Sequence, residues 1–221
     1  KGSRLRLVME TDGSLSLIAS KKSNVRNPDG LKGKNISVSG NTFVEYATDE
    51  VMKRACLHPG EVNKPEINNI PLRLMMLEDG QISASFLPGP ATAIALNDGH
   101  TALLNTRQMG LHCTGIVFSE KAITEKDEEI RRFITGYNLG VKYLQTRPQN
   151  EWTEILVKEF GLQEKAAMQI DLPDYRPATR PSYHDIEKII AWLKSKRAIP
   201  DYYPGENLVD TTFIPGTPEP Q

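Results

Sequence analysis

Cysteine is almost absent from this chain of 221 residues, which contains only Cys56 and Cys113. The two show no Cys-x-x-Cys spacing, and no His-Glu-x-x-His pattern occurs anywhere, so the sequence indicates no metal site. We expect both cysteines to be buried as small apolar residues. Nothing in the sequence calls for a cofactor.

An excess of charge of one sign and long apolar runs are missing too. Lysine and arginine number 27 against 28 aspartates and glutamates, for a formal net charge of −1. Domains that bind nucleic acid are usually clearly basic, so this balance argues against nucleic acid as a partner. No apolar run approaches the ~20 residues that a membrane-spanning helix needs. Apolar residues recur in periodic blocks instead, which indicates a folded domain.

Catalytic signatures are absent as well. The sequence contains no Gly-x-Gly-x-x-Gly, no Walker loop and no Gly-x-Ser-x-Gly. Four histidines are scattered along the chain, at His58, His100, His112 and His184. These absences predict a protein that is not an enzyme and has no catalytic residues.

What is present is an alternation of short strands and helices. It predicts an α/β fold with a largely parallel sheet and helices on both faces. The predicted strands are residues 5–9, 15–19, 36–39, 66–68, 82–87, 101–104 and 113–118. The predicted helices are residues 42–55, 71–79, 91–98, 124–147 and 151–160, and one more that begins after Ser182.

Two turns between a strand and a helix consist of small residues, at 39–42 (SGNT) and at 87–90 (LPGP). In the first turn, Thr42 and Glu45 have the spacing of a capping box. Each turn leaves backbone N–H groups free at a helix N-terminus, an arrangement that favours an anion. Ordinary turns have the same appearance in sequence, so the pattern alone leaves both interpretations open.

A series of segments resembles one known family. The segments are LKGKNISVSGNTFVEYATD, IPLRLMMLEDGQISASFLPGPATAIA and TGIVFSEKAI, followed near the C-terminus by PSYHDIEKIIAWLKSKRAI. Their order resembles the substrate-binding components of ABC importers in the nitrate, aliphatic sulfonate, taurine and thiamine-precursor group. The resemblance extends over most of the chain.

The resemblance implies a type II periplasmic-binding-protein fold, with two α/β lobes joined by two crossing strands. Strands 14–19 and 113–118 fall where the crossings are expected. Lobe two is then residues 25–107, and lobe one is residues 1–24 together with 108–221, including a helical C-terminal region.

Lobe one of this family normally begins with βαβ units that this sequence does not contain. We therefore expect an incomplete lobe one that exposes apolar sheet edges. Another chain, or a segment outside this sequence, is expected to cover them. A second departure is LPGP where many relatives carry LPEP, so that Gly89 removes a charge near the site.

The resemblance implies a solute-binding protein of an ABC importer that captures a small anionic solute such as nitrate, a sulfonate or taurine. Its partner would be the membrane permease, and its location periplasmic or anchored to the outer face of a membrane as a lipoprotein. Two alternatives share the fold: a protein that binds or makes the thiamine pyrimidine precursor, and the effector-binding domain of a LysR-type regulator.

The predicted site lies at the N-terminus of the helix that Thr42 caps, opposite the 87–90 turn, with residues of the two crossings at its floor. Its ligand-binding residues are Ser39, Gly40, Asn41, Thr42, Phe43, Pro88, Gly89, Asp12, Gly13, Cys113 and Thr114. We expect a bulky side chain at Gly40 to block the ligand while leaving the lobe folded.

Overall fold

The computed structural model describes residues 4–11, 13–112, 114–168, 175–203 and 205–214. The strands are β1 (Leu5–Thr11), β2 (Leu15–Ala19), β3 (Ile36–Ser37), β4 (Ala84–Pro88), β5 (Thr101–Asn105) and β6 (Thr114–Ser119). The helices are α1 (Phe43–Arg54), α2 (Ile70–Asp79), α3 (Gly89–Asn97), α4 (Glu120–Glu125), α5 (Asp127–Thr146), α6 (Gln149–Phe160), α7 (Glu164–Met168) and α8 (Tyr183–Ser195).

The chain forms two compact units. Unit 1 contains residues 1–13, 112–148 and 173–221, and unit 2 contains residues 14–111 and 149–172.

Unit 2 is built on a four-stranded sheet with the order β3-β4-β2-β5. Strands β3 and β4 are parallel neighbours, so the expectation that both lie in one sheet is confirmed. Strands β3, β4 and β5 run in one direction, as the expectation of a mainly parallel sheet requires, but β2 lies between β4 and β5 and runs antiparallel to both. A strand of five residues reveals its burial in sequence but not its direction, since side chains alternate identically in both pairings.

The core of unit 2 lies between this sheet and the helices α2 and α3. Proline at the second position of α2 has no N–H to leave unpaired, and Gly80 ends the helix in the left-handed conformation, with φ of 76°. The buried apolar residues that pack together here are Ile18, Ile67, Leu77, Ile82, Leu87, Ala91 and Ala95. Residues 66–68 form no strand, and Glu66 makes only an isolated bridge to Val38.

Unit 1 is built on the antiparallel pair β1 and β6, against which α5 packs. The C-terminal segment adds a short parallel bridge, in which Asp210 donates its N–H to the carbonyl of Leu7 at 2.9 Å. The core of unit 1 consists of Val8, Met9, Ile130, Ile134, Phe213 and Ile214.

The boundaries of these units differ from the predicted lobes. Residues 14–24 lie in unit 2 because β2 is a central strand of its sheet. Residues 149–172 also lie in unit 2, because α7 contacts both α6 and α3. Helix pattern alone indicates that α6 and α7 are amphipathic, but not which sheet they cover.

The long helix expected over 124–147 is confirmed as α5, which begins three residues later, at Asp127. A separate short helix, α4, precedes it and ends before Lys126, whose φ of −133° is not helical. The prediction for Cys56 is wrong. Cys56 is exposed rather than buried, and it adopts a left-handed φ of 53° just after α1 ends. Cys113 lies outside the described residues.

Exposed apolar side chains occur in unit 1 as they do in unit 2, where Met75 is 56% exposed, so they do not test the expected exposure of apolar sheet edges. Val117 on β6 is 49% exposed and Leu139 on α5 is 63% exposed. Within the described residues, β6 pairs with β1 alone. Which surface covers these side chains stays a prediction.

His100 lies buried beside β2 in unit 2. Its Nδ1 accepts the N–H of Lys21 at 3.1 Å, so Nδ1 carries no proton, and its Nε2 lies 3.2 Å from Oε2 of Glu78. Burial is the main cause that lowers the pKa of His100, and the charge of Lys21 adds to it, while Glu78 opposes the shift.

We predict that His100 makes the stability of the protein depend on pH. Its pKa is lower in the folded state, so the unfolded chain takes up the proton first as pH falls below about 6.5. The free energy of unfolding should therefore decrease from pH 7 to pH 5.5, measured by urea denaturation. His100→Asn retains an acceptor for Lys21 and should reduce the decrease in the free energy of unfolding between pH 7 and pH 5.5. The substitution His184→Asn, at an exposed position, should leave this pH dependence unchanged. Equal slopes in all three proteins would contradict the prediction.

Candidate functional site

The parallel pairing of β3 and β4 brings two predicted turns to one edge of the unit 2 sheet. Ile36 lies opposite Ala84, and Ser37 lies opposite Ser85. Strand β3 ends opposite Ser85, β4 continues in the same direction to Pro88, and the chain enters α1 after the first strand and α3 after the second. Ser39, Gly40, Asn41, Thr42 and Phe43 therefore follow the same edge of the sheet as Pro88 and Gly89, and that they form one binding site stays a prediction.

Hydrogen bonds at the start of α1 hold the first turn. Thr42 Oγ1 accepts the N–H of Val44 at 3.3 Å and donates to the carbonyl of Ser39 at 2.8 Å. Glu45 accepts the N–H of Asn41 at 2.8 Å, one residue earlier than a standard capping box requires. The proton of the Thr42 hydroxyl is engaged in this turn. The hydroxyl therefore stabilises the turn and has no hydrogen left to donate to a ligand.

Backbone N–H groups at this edge remain available. Within the described part of the chain, the N–H groups of Gly40, Thr42, Phe43 and Gly89 donate to no acceptor. They belong to the turn before α1 and to the starts of α1 and α3, where the helix dipoles are positive. Such a cluster of donors can bind the oxygens of an anion.

Arg73 of α2 lies directly behind the first turn, and the sequence analysis did not select it. The side chain is 2% exposed. Nε donates to the carbonyl of Ile67 at 2.7 Å, Nη1 donates to the carbonyl of Phe86 at 3.3 Å, and Nη2 donates to Ser39 Oγ. Burial lowers the pKa of Arg73. The available signal was an arginine within the otherwise apolar run IPLRLMML.

Gly40 has a neighbour that the sequence analysis did not anticipate. A Cβ at this position would lie 3.2 Å from Oε1 and 3.3 Å from Cδ of Glu66, so a bulky side chain would displace that carboxylate first. Substitution of Gly40 is therefore not a clean test of ligand contact. Gly89 is the better position, because its Cβ would meet nothing within 4 Å.

In unit 1, the predicted residues Gly13 and Thr114 form a closed hydrogen-bonded clasp. Thr114 Oγ1 accepts the N–H of Gly13 at 3.0 Å and donates to the carbonyl of Thr11 at 2.7 Å. The hydroxyl of Thr11 also donates to it at 3.1 Å. The Thr114 hydroxyl is therefore saturated. Asp12 and Cys113 lie outside the described residues.

A small cavity of about 70 Å³ with a mostly apolar lining adjoins this clasp within unit 1. Its lining contains Glu10, which accepts the N–H of Ser182 at 3.2 Å and lies 3.6 Å from Nη2 of Arg176. Burial, the largest influence, raises the pKa of Glu10. The other lining residues are Leu7, His112, Thr114, Gly115, Pro181, Ser182, Asp185, Ile186 and Ile189. Sequence analysis missed Glu10 because a glutamate at the end of a half-buried strand is not distinctive.

The described residues include no group of three or more His, Cys, Asp or Glu side chains that could hold a metal ion. Across the same residues, no helix combines the length and the apolar character needed to cross a membrane.

The fold is that of type II periplasmic binding proteins, as predicted. The alkanesulfonate-binding protein SsuA from Xanthomonas axonopodis pv. citri, bound to MOPS, is 18% identical, with a TM-score of 0.78 over 94% of this chain and 74% of that one. The periplasmic nitrate-binding protein NrtA from Synechocystis PCC 6803 is 8% identical, with a TM-score of 0.77 over 92% of this chain and 63% of that one. The desulfurization enzyme DSZB is 11% identical, with a TM-score of 0.63 over 96% and 78%.

Residues 10–151 match the family described as NMT1/THI5 like, which is more than half of the chain. The chain therefore belongs to this family. No curated protein matches it in sequence.

The clasp in unit 1 leads to a prediction about stability. A Cβ at Gly13 would lie 2.8 Å from Thr114 Oγ1, so Gly13→Ala should lower the free energy of unfolding by about 1–3 kcal/mol through overpacking. Gly136→Ala in α5 of the same unit meets nothing within 4 Å and should instead stabilise the protein by up to about 1 kcal/mol. Urea denaturation of both variants measures these changes. If Gly13→Ala leaves the free energy of unfolding unchanged, Thr114 can move to accommodate a methyl group and the prediction is wrong.

Proposed function

We propose that this chain is the solute-binding component of an ABC importer and that it captures a small anionic solute. The observation that carries the proposal is the cluster of N–H donors at the ends of β3 and β4, with the buried cation of Arg73 behind it. Family membership supports it, as does the likeness of the fold to proteins that bind alkanesulfonates and nitrate.

The binding chemistry requires no reaction. The oxygens of the solute accept hydrogen bonds from the N–H groups of Gly40, Thr42, Phe43 and Gly89, aided by the dipoles of α1 and α3. Each helix terminus contributes typically ~0.3–1 kcal/mol when exposed and up to ~2 kcal/mol when partly buried. The exposed amide of Asn41 and the hydroxyl of Ser39 add side-chain donors.

The remaining assignments follow from the same proposal. Unit 2 corresponds to lobe two and unit 1 to lobe one of the family fold. The partner is an importer permease. The location is periplasmic or, as a lipoprotein, at the outer face of a membrane.

Catalysis is the second candidate, because DSZB shares the fold. We favour binding, since the donors at this edge of unit 2 are backbone N–H groups beside a buried cation, an arrangement that can hold an anion and offers no group for transfer. A regulator's effector domain is distinguished by its gene neighbourhood: permease and ATPase genes nearby support the importer, and an upstream DNA-binding segment contradicts it.

Binding can be tested with the longest natural chain by calorimetry and thermal shift. The panel contains nitrate, taurine, alkanesulfonates, bicarbonate and the thiamine pyrimidine precursor. We expect saturable binding of at least one anion, with about 2.7 kcal/mol of added stability when the free ligand is at 100 times its Kd. Binding of the pyrimidine alone, or turnover of any compound, would overturn the proposal.

Gly89 provides a sharper prediction about charge. Gly89→Glu places a carboxylate at the start of α3, where the structure has open space, so the fold should be retained. Anion affinity should fall by about fivefold to tenfold, the effect of roughly 1–1.4 kcal/mol of repulsion. Gly89→Gln is the matched neutral control and should lose less than half of that free energy. Equal losses of anion affinity in both variants would indicate a steric cause. They would contradict the prediction that the anion binds at this edge of the sheet.

A further inference from the structure

Arg73 is a buried cation without a carboxylate partner. Its three hydrogen bonds go to neutral oxygens, of Ile67, Phe86 and Ser39. It forms no ion pair with any described acidic residue. Buried charges are normally paired, because desolvation without a counter-charge is costly. No carboxylate of the described residues supplies the missing negative charge, and an anion bound at this edge would supply it.

The nearest acidic groups of the turn are engaged elsewhere. Glu45 accepts the N–H of Asn41 and lies 3.6 Å from Nζ of Lys64. Glu66 lies against Gly40, where its Oε1 accepts a hydrogen bond from the side chain of Asn68 at 3.3 Å. Lys64 also pairs with Asp49 at 2.7 Å, so Glu45 and Asp49 share this cation. The exposed Glu66 carboxylate has no cation partner among the described residues.

The bond between Arg73 and Ser39 determines what Ser39 can do. Nη2 of Arg73 donates to Ser39 Oγ, so this oxygen acts as an acceptor toward α2. The hydroxyl hydrogen of Ser39 must then point away from the guanidinium. A hydroxyl polarised by a cation is also a stronger donor. Ser39 is half-buried at the edge that carries the free N–H groups, so its hydrogen is available to a solute there.

We infer that Arg73 is a positioning residue that sets the charge selectivity of this site, acting through the Ser39 hydroxyl. The inference rests on the proposed function. It defines the solute class as a singly charged oxyanion: the cation disfavours neutral compounds of the same shape, and the Glu66 carboxylate disfavours dianions. Arg73 does not itself touch the solute.

The test compares methanesulfonate with methanesulfonamide, its neutral isostere, by calorimetry on the full chain. Arg73→Gln should weaken methanesulfonate at least tenfold and methanesulfonamide less than threefold. Ser39→Ala should act in the same direction, and Ser39→Thr, which keeps a hydroxyl, should recover most of the methanesulfonate affinity. The exposed Arg26→Gln in the same unit removes the same charge and should change both affinities less than twofold.

Each outcome decides the inference. If the wild type binds methanesulfonate but Arg73→Gln weakens both compounds equally, Arg73 is only structural. If Arg73→Gln does not fold, the Ser39 pair decides, and failure of Ser39→Thr to recover affinity overturns the inference. If the wild type binds neither compound nor any other anion of the panel, the proposed function fails as well.

Glu66 gives an independent readout of the dianion claim. Glu66→Gln removes the exposed carboxylate without changing its shape and should raise the affinity for sulfate relative to methanesulfonate by at least threefold. Asp98→Asn removes one negative charge from another exposed position of unit 2 and should leave the ratio unchanged. If Glu66→Gln leaves the ratio of sulfate affinity to methanesulfonate affinity unchanged, the claim that Glu66 disfavours dianions is overturned. Only the claim that Arg73 disfavours neutral compounds then remains.

Discussion

The parallel pairing of β3 with β4 is the constraint on which the candidate site depends. A buried hydrogen bond between the hydroxyls of Ser37 and Ser85, at 2.8 Å, joins the two strands at the register that aligns their ends. A shift of one residue would exchange the faces of β3 and move Ser39 away from Arg73. The donors of the two turns and the cation behind them share one edge because this register is maintained.

The two units hold their candidate residues in different electrostatic settings. Unit 2 offers backbone donors and a buried guanidinium that lacks a counter-charge. In unit 1, the Glu10 carboxylate lines a small cavity, and the Thr114 hydroxyl donates its hydrogen bond to the backbone carbonyl of Thr11. We therefore expect the proposed recognition of an anion to depend mainly on unit 2, because Gly13 and Thr114 of unit 1 stabilise their own turn.

Local signals were enough to predict much of this structure. The start of α1 at Thr42 and the end of α2 at Gly80 follow from side-chain and glycine preferences that act within a few residues. The direction of β2, the placement of α6 and the roles of Arg73 and Glu66 could not be predicted in this way. They depend on partners far away in sequence, and neither a helix pattern nor a strand pattern specifies its partner.

The central position of β2 has a consequence for how the protein folds during synthesis. This strand lies near the start of the chain, but its two neighbours are β4 and β5, which end at Pro88 and Asn105. At ~5–20 residues per second, a ribosome needs several seconds to supply them after β2 emerges. During that interval β2 lacks both of its native neighbours, so its edges are available to a chaperone or to mispairing.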